Sequence, residues 1–526
     1  MQVAGLTEPG TAPAVEALGS LPRTRHDHIL LACAGTLGLL AGLTFVLDFS
    51  LAFLPLPLDP REGWNAYHAL NAFGAALYPR LPSMMYNNYP PLSFVIAGGL
   101  GRLLGDNIVA GRLIALVSTA GTAVCIGRVA RSMGCRNLEA AFSASLFLAG
   151  PWLLSEFAGI DDPQMLGQVI GCAGFALVLR VSARGRAIRS GALLLSLAGF
   201  VKPIFVAQPF ALLIWLAIYE PRNALRLAVY GLVFAGLGIA AADRIYGTTL
   251  VEHMMSSRVY DLPAMLSHPG TWLLTGLVPL AASLYLFRFR NDLYAQLCAI
   301  YVLVAAISAI FFSGGQGVGG NVMFDTSIAA SIGTGVFLDR FRRGATPPRW
   351  FGNAAGTSIA LISTAVAAIN LPLQMWGALG SFPHGALSAA ESVSKRREIA
   401  RMDVEFLRAN RGTVLCETLA FCYWAGKSPQ VDAFNLAQAF KSHARSEADL
   451  VQLLDARHYD SIELDRRSHF GYSARLRCAF ARNYRLDHLD EFGVFLVPRY
   501  AAEASSTAFG VSCSSDLDRY LVGNMN

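Results

Sequence analysis

Charge is scarce in this chain. Asp, Glu, Lys and Arg make up only 15% of its 526 residues, against about 25% in an ordinary soluble domain. The shortage is concentrated in long apolar runs, which excludes a single soluble globular fold. Metal-binding cysteine patterns are also missing. The chain has nine Cys but no CxxC pair and no Cys/His cluster, so the usual structural zinc frameworks are not encoded. No internal repeat is visible, unlike many secondary transporters. The net charge of +6 sits in short clusters between apolar runs, and no nucleic-acid partner is implied.

Hydrophobic length is abundant. About 20 apolar residues cross roughly 30 Å of hydrocarbon. Residues 29–47 form such a run without a charge, and others lie at 113–127, 140–154, 165–179, 204–219, 271–286, 297–313, 322–338 and 355–375. The basic clusters are Arg23/Arg25, Arg128/Arg131/Arg136, Arg180/Arg184/Arg186/Arg189, Arg222/Arg226, Arg288/Arg290 and Arg340/Arg342/Arg343/Arg349. Cytoplasmic loops collect Lys and Arg. Placing all six clusters inside gives about 11 crossings, in a mainly α polytopic membrane protein of about 11–13 spans. Residues 1–28 form a cytoplasmic N-terminus, disordered over 1–21, and 29–47 is an uncleaved first span. Segments 48–107, 156–163, 243–268 and 314–321 then face outward, as does everything after about 377.

Two stretches strain this count. Residues 91–104 are apolar enough to span, but a crossing there would put Arg128–Arg136 outside. A helix on or partly in the outer surface fits better. Residues 191–219 must go out and back between two inside clusters. The first arm, 191–201, rises only about 17 Å, which suggests a broken helix with Lys202 at membrane depth. The last 150 residues, 377–526, have no spanning run. Strands at 414–416, 461–464 and 494–497 and helices at 389–410, 435–455 and 474–483 predict a small extracytoplasmic α/β domain. Cys416, Cys422, Cys478 and Cys513 fall there, where a disulfide is permitted.

The outer loops carry the unusual chemistry. The first contains Asp59, Glu62 and, at three-residue spacing, Trp64, Tyr67, Leu70 and Phe73. A helix from Glu62 with that aromatic face would lie flat on the membrane. The second loop carries Asp161 and Asp162 before Pro163. A capping acid before proline is ordinary, and Asp59 and Glu62 read equally well as capping acids. Carboxylates clustered on two loops of one face nonetheless suit acid/base or metal chemistry. Asn88 and Tyr89 belong to a rigid polar turn at 87–91. The Gly-rich turn at 314–325 leads to a helix with Asn321 near its start, where backbone N–H groups can hold an anion.

These residues resemble the membrane glycosyltransferases of the C superfamily. The most similar members are the dolichyl-phosphate-mannose protein mannosyltransferases and the aminoarabinose lipid A transferases. EGWNAY, LYP, NYPPL and GRL at 111–113 follow that family's first-loop order. DDP, Lys202-Pro203 and GGNVMFD, with Asn321 and Asp325, match in place. The likeness covers roughly 51–338. The family usually has Asp-Glu where this chain has Arg61-Glu62, so one acid is replaced or displaced to Asp59. The resemblance implies inverting transfer of a sugar from a polyprenyl-phosphate donor to a glycan, lipid or protein acceptor. The location implied is the outer face of a bacterial cytoplasmic (inner) membrane. Glu62 would be the general base, Asp162 and Asp161 would orient the acceptor or a metal, and Lys202 and then Arg112 would stabilise the leaving phosphate. Tyr89 and Asn88 would shape the lipid-phosphate entrance and Asn321 would assist. The resemblance fixes no cofactor, and a divalent metal is compatible. A transporter or flippase of a lipid-linked or small polar solute is the competing reading.

Overall fold

A computed structural model describes residues 24–80, 82–150, 157–180, 184–256, 258–344, 355–378, 386–466 and 468–499. The expected disorder at 1–21, and Cys513, lie outside the described residues. The membrane module contains helices α1 (Arg25–Leu51), α2 (Arg61–Leu70), α3 (Leu92–Leu104), α4 (Asn107–Ser132), α5 (Asn137–Leu148) and α6 (Gln164–Val178). It continues with α7 (Arg184–Val201), α8 (Ala207–Tyr219), α9 (Pro221–Tyr246), α10 (Ala264–Tyr285), α11 (Leu293–Ser313), α12 (Phe324–Arg342) and α13 (Ala355–Ala378). Among the described residues α1, α4, α9 and α11 are long and apolar enough to cross a membrane by themselves, and shorter apolar helices accompany them.

Polar contacts sort the helix ends onto two faces. On one, Arg136 pairs with Asp27, Arg340 with Asp292, and Arg342 with Glu139. His26 meets Thr357 there. The arginines paired on this face come from two of the six clusters, Arg136 from one and Arg340 and Arg342 from another. On the other face Asn321 meets Gln164, Tyr246 meets Ala72, and Asn87 meets His253. A chain that alternates between these faces through α1, α4 to α9 and α10 to α13 makes eleven passages.

Helix α3 is not one of them. At its start Tyr89 packs on Trp64. Just past its end, Asp106 accepts from the Trp424 indole and the Asn107 N–H donates to the Tyr423 hydroxyl. Both ends therefore lie on the loop face, beneath the C-terminal domain. The arm before Lys202 differs from expectation. Helix α7 starts at Arg184, and its 18 residues rise about 27 Å, enough for a crossing. Lys202 sits at the loop-face end of that helix instead of at mid-depth. The break itself is present, with turns at 203–206 before α8.

The C-terminal domain contains helices α14 (Ala386–Ala409), α15 (Leu419–Trp424), α16 (Ala433–Lys441), α17 (Ala448–Asp455) and α18 (Ala474–Asn483). Its strands are β1 (Val414–Cys416), β2 (Ser461–Asp465), β3 (Tyr484–Leu489) and β4 (Gly493–Pro498). They form one sheet of order β1-β2-β4-β3, with β1 and β2 parallel and the rest antiparallel. The strand β3 escapes sequence reading because Arg485, Asp487 and His488 interrupt its apolar pattern. The single helix expected over 435–455 is two. His443 adopts a left-handed φ of 57°, and Ser446 accepts from the Ala448 N–H to start the second. Cys416 and Cys422 form a disulfide, and Cys478 is disulfide-bonded too.

Helix α2 is the layer between domain and bundle. A Cβ at Gly63 would lie 2.0 Å from the Ala420 backbone nitrogen, and one at Gly98 only 2.2 Å from the Ala69 carbonyl oxygen. Glycine is required at both close approaches. The expected aromatic face does not lie flat on lipid. Trp64 donates to Asp432 and Tyr67 to the Lys427 carbonyl, both in the domain, while Leu70 and Phe73 are exposed.

This arrangement predicts sidedness. Cysteines placed at Arg102, in the last turn of α3, and at Ser428, in the domain, will label from the same side of the membrane with an impermeant maleimide. One at Ser132 will label only from the other side. Labelling of Arg102→Cys from the Ser132 side would remove the horizontal placement of α3.

Candidate active site

The loop face carries two adjacent charge clusters, one sealed and one open. The sealed one joins Glu62 and Arg112, both with no exposed side chain. The Arg112 Nε and Nη2 donate to the two Glu62 oxygens at 2.6 and 2.7 Å. The remaining guanidinium protons go to carbonyls at the end of α1, including Leu54 at 2.8 Å and Leu56 at 2.6 Å. Glu62 also accepts from the backbone N–H of Leu58 at 2.9 Å and of Asp161 at 3.2 Å. Both carboxylate oxygens accept from donors, which come from three segments: α4, the first loop and the second loop. The expected base, Glu62, and the expected second phosphate ligand, Arg112, are therefore paired with each other. Neither reaches solvent, and each serves to clamp the first loop to α4.

The open cluster is a chain of alternating charges. The half-buried Asp59 holds Arg61 through Nε at 2.7 Å and Nη2 at 2.9 Å. The Arg61 Nη1 donates to Asp162 at 3.0 Å, and its guanidinium lies 4.6 Å from the centre of the Phe157 ring. The other Asp162 oxygen accepts from the Gln164 N–H at 2.8 Å and stands 3.6 Å from the Lys202 ammonium. Tyr89 covers Lys202, its ring centre 4.9 Å from the nitrogen. The Asp162 carboxyl is held below the usual carboxylate range. Burial opposes that, but the Lys202 and Arg61 charges and the Gln164 N–H outweigh it. A strong ammonium–carboxylate hydrogen bond is about 2.7–2.9 Å long. The Lys202 contact is looser, so its ammonium has reach left for another anion.

Asp161 is the inverse of its neighbour. Its side chain is buried, its Oδ2 has no hydrogen-bond partner among the described residues, and it nests in the space a Cβ would fill at Gly111. Burial first, then the Glu62 and Asp162 charges, push its carboxyl well above the usual range. The Asn65 amide donates to its backbone carbonyl at 2.6 Å.

The other expected residues lie apart. Asn88 faces Asn435 in the domain at 3.4 Å. Asn321 is spent on Gln164, its amide donating to the Gln164 side-chain oxygen at 2.9 Å. The Gly-rich turn docks on the domain. Gln316 meets Gln438, and Gly317, with φ of 74°, leaves room for the Phe434 ring. The turn's N–H groups at 315, 316 and 318 bond to backbone carbonyls. The site thus brings together Asp59, Asp162, Lys202 and Tyr89. It adds Arg61, which the sequence marked only as a departure from the family pattern.

A helical bundle with a horizontal first-loop helix, loop-borne acids and a small α/β domain is the C-type glycosyltransferase fold. Neither a protein-family model nor a curated relative matches the sequence. Solved structures do. The apo structure of ArnT from Cupriavidus metallidurans is similar over 90% of this chain and 99% of its own, with a TM-score of 0.61 and 15% identity. ArnT bound to undecaprenyl phosphate covers 88% and 98%, with a TM-score of 0.59 and 14% identity. The apo oligosaccharyltransferase of Archaeoglobus fulgidus covers 88% and 73%, with a TM-score of 0.52 and 11% identity.

Two predictions follow from the clusters. Glu62→Ala leaves a buried, unpaired guanidinium and costs about 3–5 kcal/mol of stability. The pair Glu62→Leu/Arg112→Met will recover most of that loss in thermal unfolding of detergent-purified protein, and equal losses would refute the clamp. For Asp161, a folded-state pKa above the unfolded value adds stability at low pH that is lost as pH rises. Asp161→Asn will therefore gain in melting temperature relative to the native chain as pH rises from about 4. A constant difference would show that Asp161 ionises freely.

Proposed function

We propose that this chain moves a sugar from a polyprenyl-phosphate donor to an acceptor hydroxyl at the outer face of a bacterial inner membrane. The observation that carries this reading is the pairing of two cations, Arg61 and Lys202, on one depressed carboxylate, Asp162, between the first loop and the α7–α8 break. A donor phosphate would compete with Asp162 for Lys202 and turn the loose 3.6 Å contact into a direct ion pair. Tyr89, over the ammonium, closes that position from the α3 side. The ArnT structure holding undecaprenyl phosphate supports a lipid phosphate as the donor's head in this fold.

Asp59 takes the base role in this reading. It is the most exposed acid of the group, with a side chain 21% accessible against 1% for Asp162 and none for Glu62. It would accept the acceptor's hydroxyl proton as the oxygen attacks the anomeric carbon. The bond to the phosphate breaks on the opposite side, so the configuration inverts. The leaving phosphate is already a stable anion, and Lys202 with Arg61 would neutralise the charge it gains. Asp162 would align the two cations. The chain N-terminus would be cytoplasmic and the C-terminal domain periplasmic, covering the acceptor side.

Proteoliposomes with a labelled polyprenyl-phosphate sugar test the roles separately. Lys202→Ala will lose donor-lipid binding. Asp59→Asn will keep binding and lose transfer by roughly 10²–10⁴-fold. Undiminished transfer by Asp59→Asn removes it as base, and undiminished binding by Lys202→Ala removes the phosphate role.

A further inference from the structure

A second charged cluster lies in the C-terminal domain, away from the loop-face site. It joins α14 to the hairpin of β3 and β4. His488 Nδ1 stands 2.9 Å from Asp487 Oδ2. A carboxylate there favours a ring proton on Nδ1, the tautomer in which Nε2 carries a lone pair. That lone pair faces further carboxylate oxygens, Asp403 Oδ1 at 3.3 Å and Asp490 Oδ2 at 3.9 Å. Three acceptors turned on one point repel unless a proton or a metal cation sits between them.

The surrounding residues hold this arrangement in place. The His488 ring stacks on Phe495 with centres 4.3 Å apart and planes 9° apart, and Phe406 meets its edge. Asp490 is fixed through its other oxygen, which accepts from the N–H groups of Phe492 at 2.8 Å and Gly493 at 3.2 Å. Asp403 is 2% exposed, and its Oδ2 has no hydrogen-bond partner among the described residues. The donor atoms of Asp403, His488 and Asp490 all lie within 4.8 Å of one another. Zinc bonds of about 2.0–2.2 Å put neighbouring tetrahedral ligand atoms roughly 3.4 Å apart. The 3.3 Å separation already matches, and the 3.9 Å one needs only a small closure.

We propose that Asp403, His488 and Asp490 form a divalent-cation site of zinc type, oriented by Asp487, that staples α14 to the β3–β4 hairpin. Two carboxylates and one imidazole suit a borderline cation such as zinc. The fourth position is left to water. The helix stapled in this way is the first domain element after the last membrane passage, so the cation would stiffen the join between domain and bundle. This site is independent of the transferase reading and stands or falls without it.

The test uses the full chain in detergent, stripped with chelator and desalted. Calorimetric titration with zinc chloride will show one equivalent bound at micromolar zinc, with a rise in melting temperature. Asp403→Asn/His488→Gln will lose that equivalent. Asp487→Asn, at the exposed rim, will fold normally and weaken zinc binding about 10–100-fold. Cobalt will give a visible absorption band in the native chain that zinc displaces. The proposal is overturned if the native chain binds no zinc at micromolar concentration, or if binding is the same in the native chain and both variants.

Discussion

Arg112 and Glu62 are removed from solvent together, and this pair holds four chain segments in register. The guanidinium takes carbonyls from the end of α1, while the carboxylate takes N–H groups from the first loop and from Asp161. Bringing two charges into a dry site is costly and is offset only when every donor and acceptor is used. Here both are. The first loop is therefore no flexible connection. It is pinned to α4 and to the second loop, and the position of every other charged group on that face follows from the pinning.

With the sealed pair fixed, Arg61 and Asp162 meet on the side open to the helix break. Asp161 and Asp162 are adjacent, yet burial beside Glu62 pushes the first carboxyl well above the usual range, and two cations hold the second below it. Lys202 completes the open cluster because α7 reaches the loop face before it breaks. A neutral chain of alternating charges with one loose link is suited to exchanging an internal carboxylate for an incoming phosphate.

The domain acts on the site through α2. Its α15 lies backbone to backbone against Gly63, and Trp64 and Tyr67 end in domain hydrogen bonds. The helix that carries Arg61 and Glu62 is therefore sandwiched between the domain and α3. Changes in domain position or stiffness would reach the site along that helix, and also through Asp106 and Asn107 at the start of α4.

The sequence by itself determined the passages and their two faces. Apolar length and arginine clustering reflect partition between lipid and water, which acts residue by residue and leaves a linear trace. The order of loop motifs likewise pointed to the glycosyltransferase fold, and the domain's three apolar strands were legible. Pairing was not. An α-helix turns about 100° per residue, so Arg61 and Glu62 point in different directions although they are neighbours in sequence. Whether Glu62 is sealed or exposed depends on Arg112, 50 positions away, and that contact exists only after the helices pack. The same holds for Asn321, claimed by Gln164, and for the polar strand β3, whose His488 finds Asp403 across 85 residues. Tertiary structure alone decided which charges were buried as structure and which remained available for chemistry.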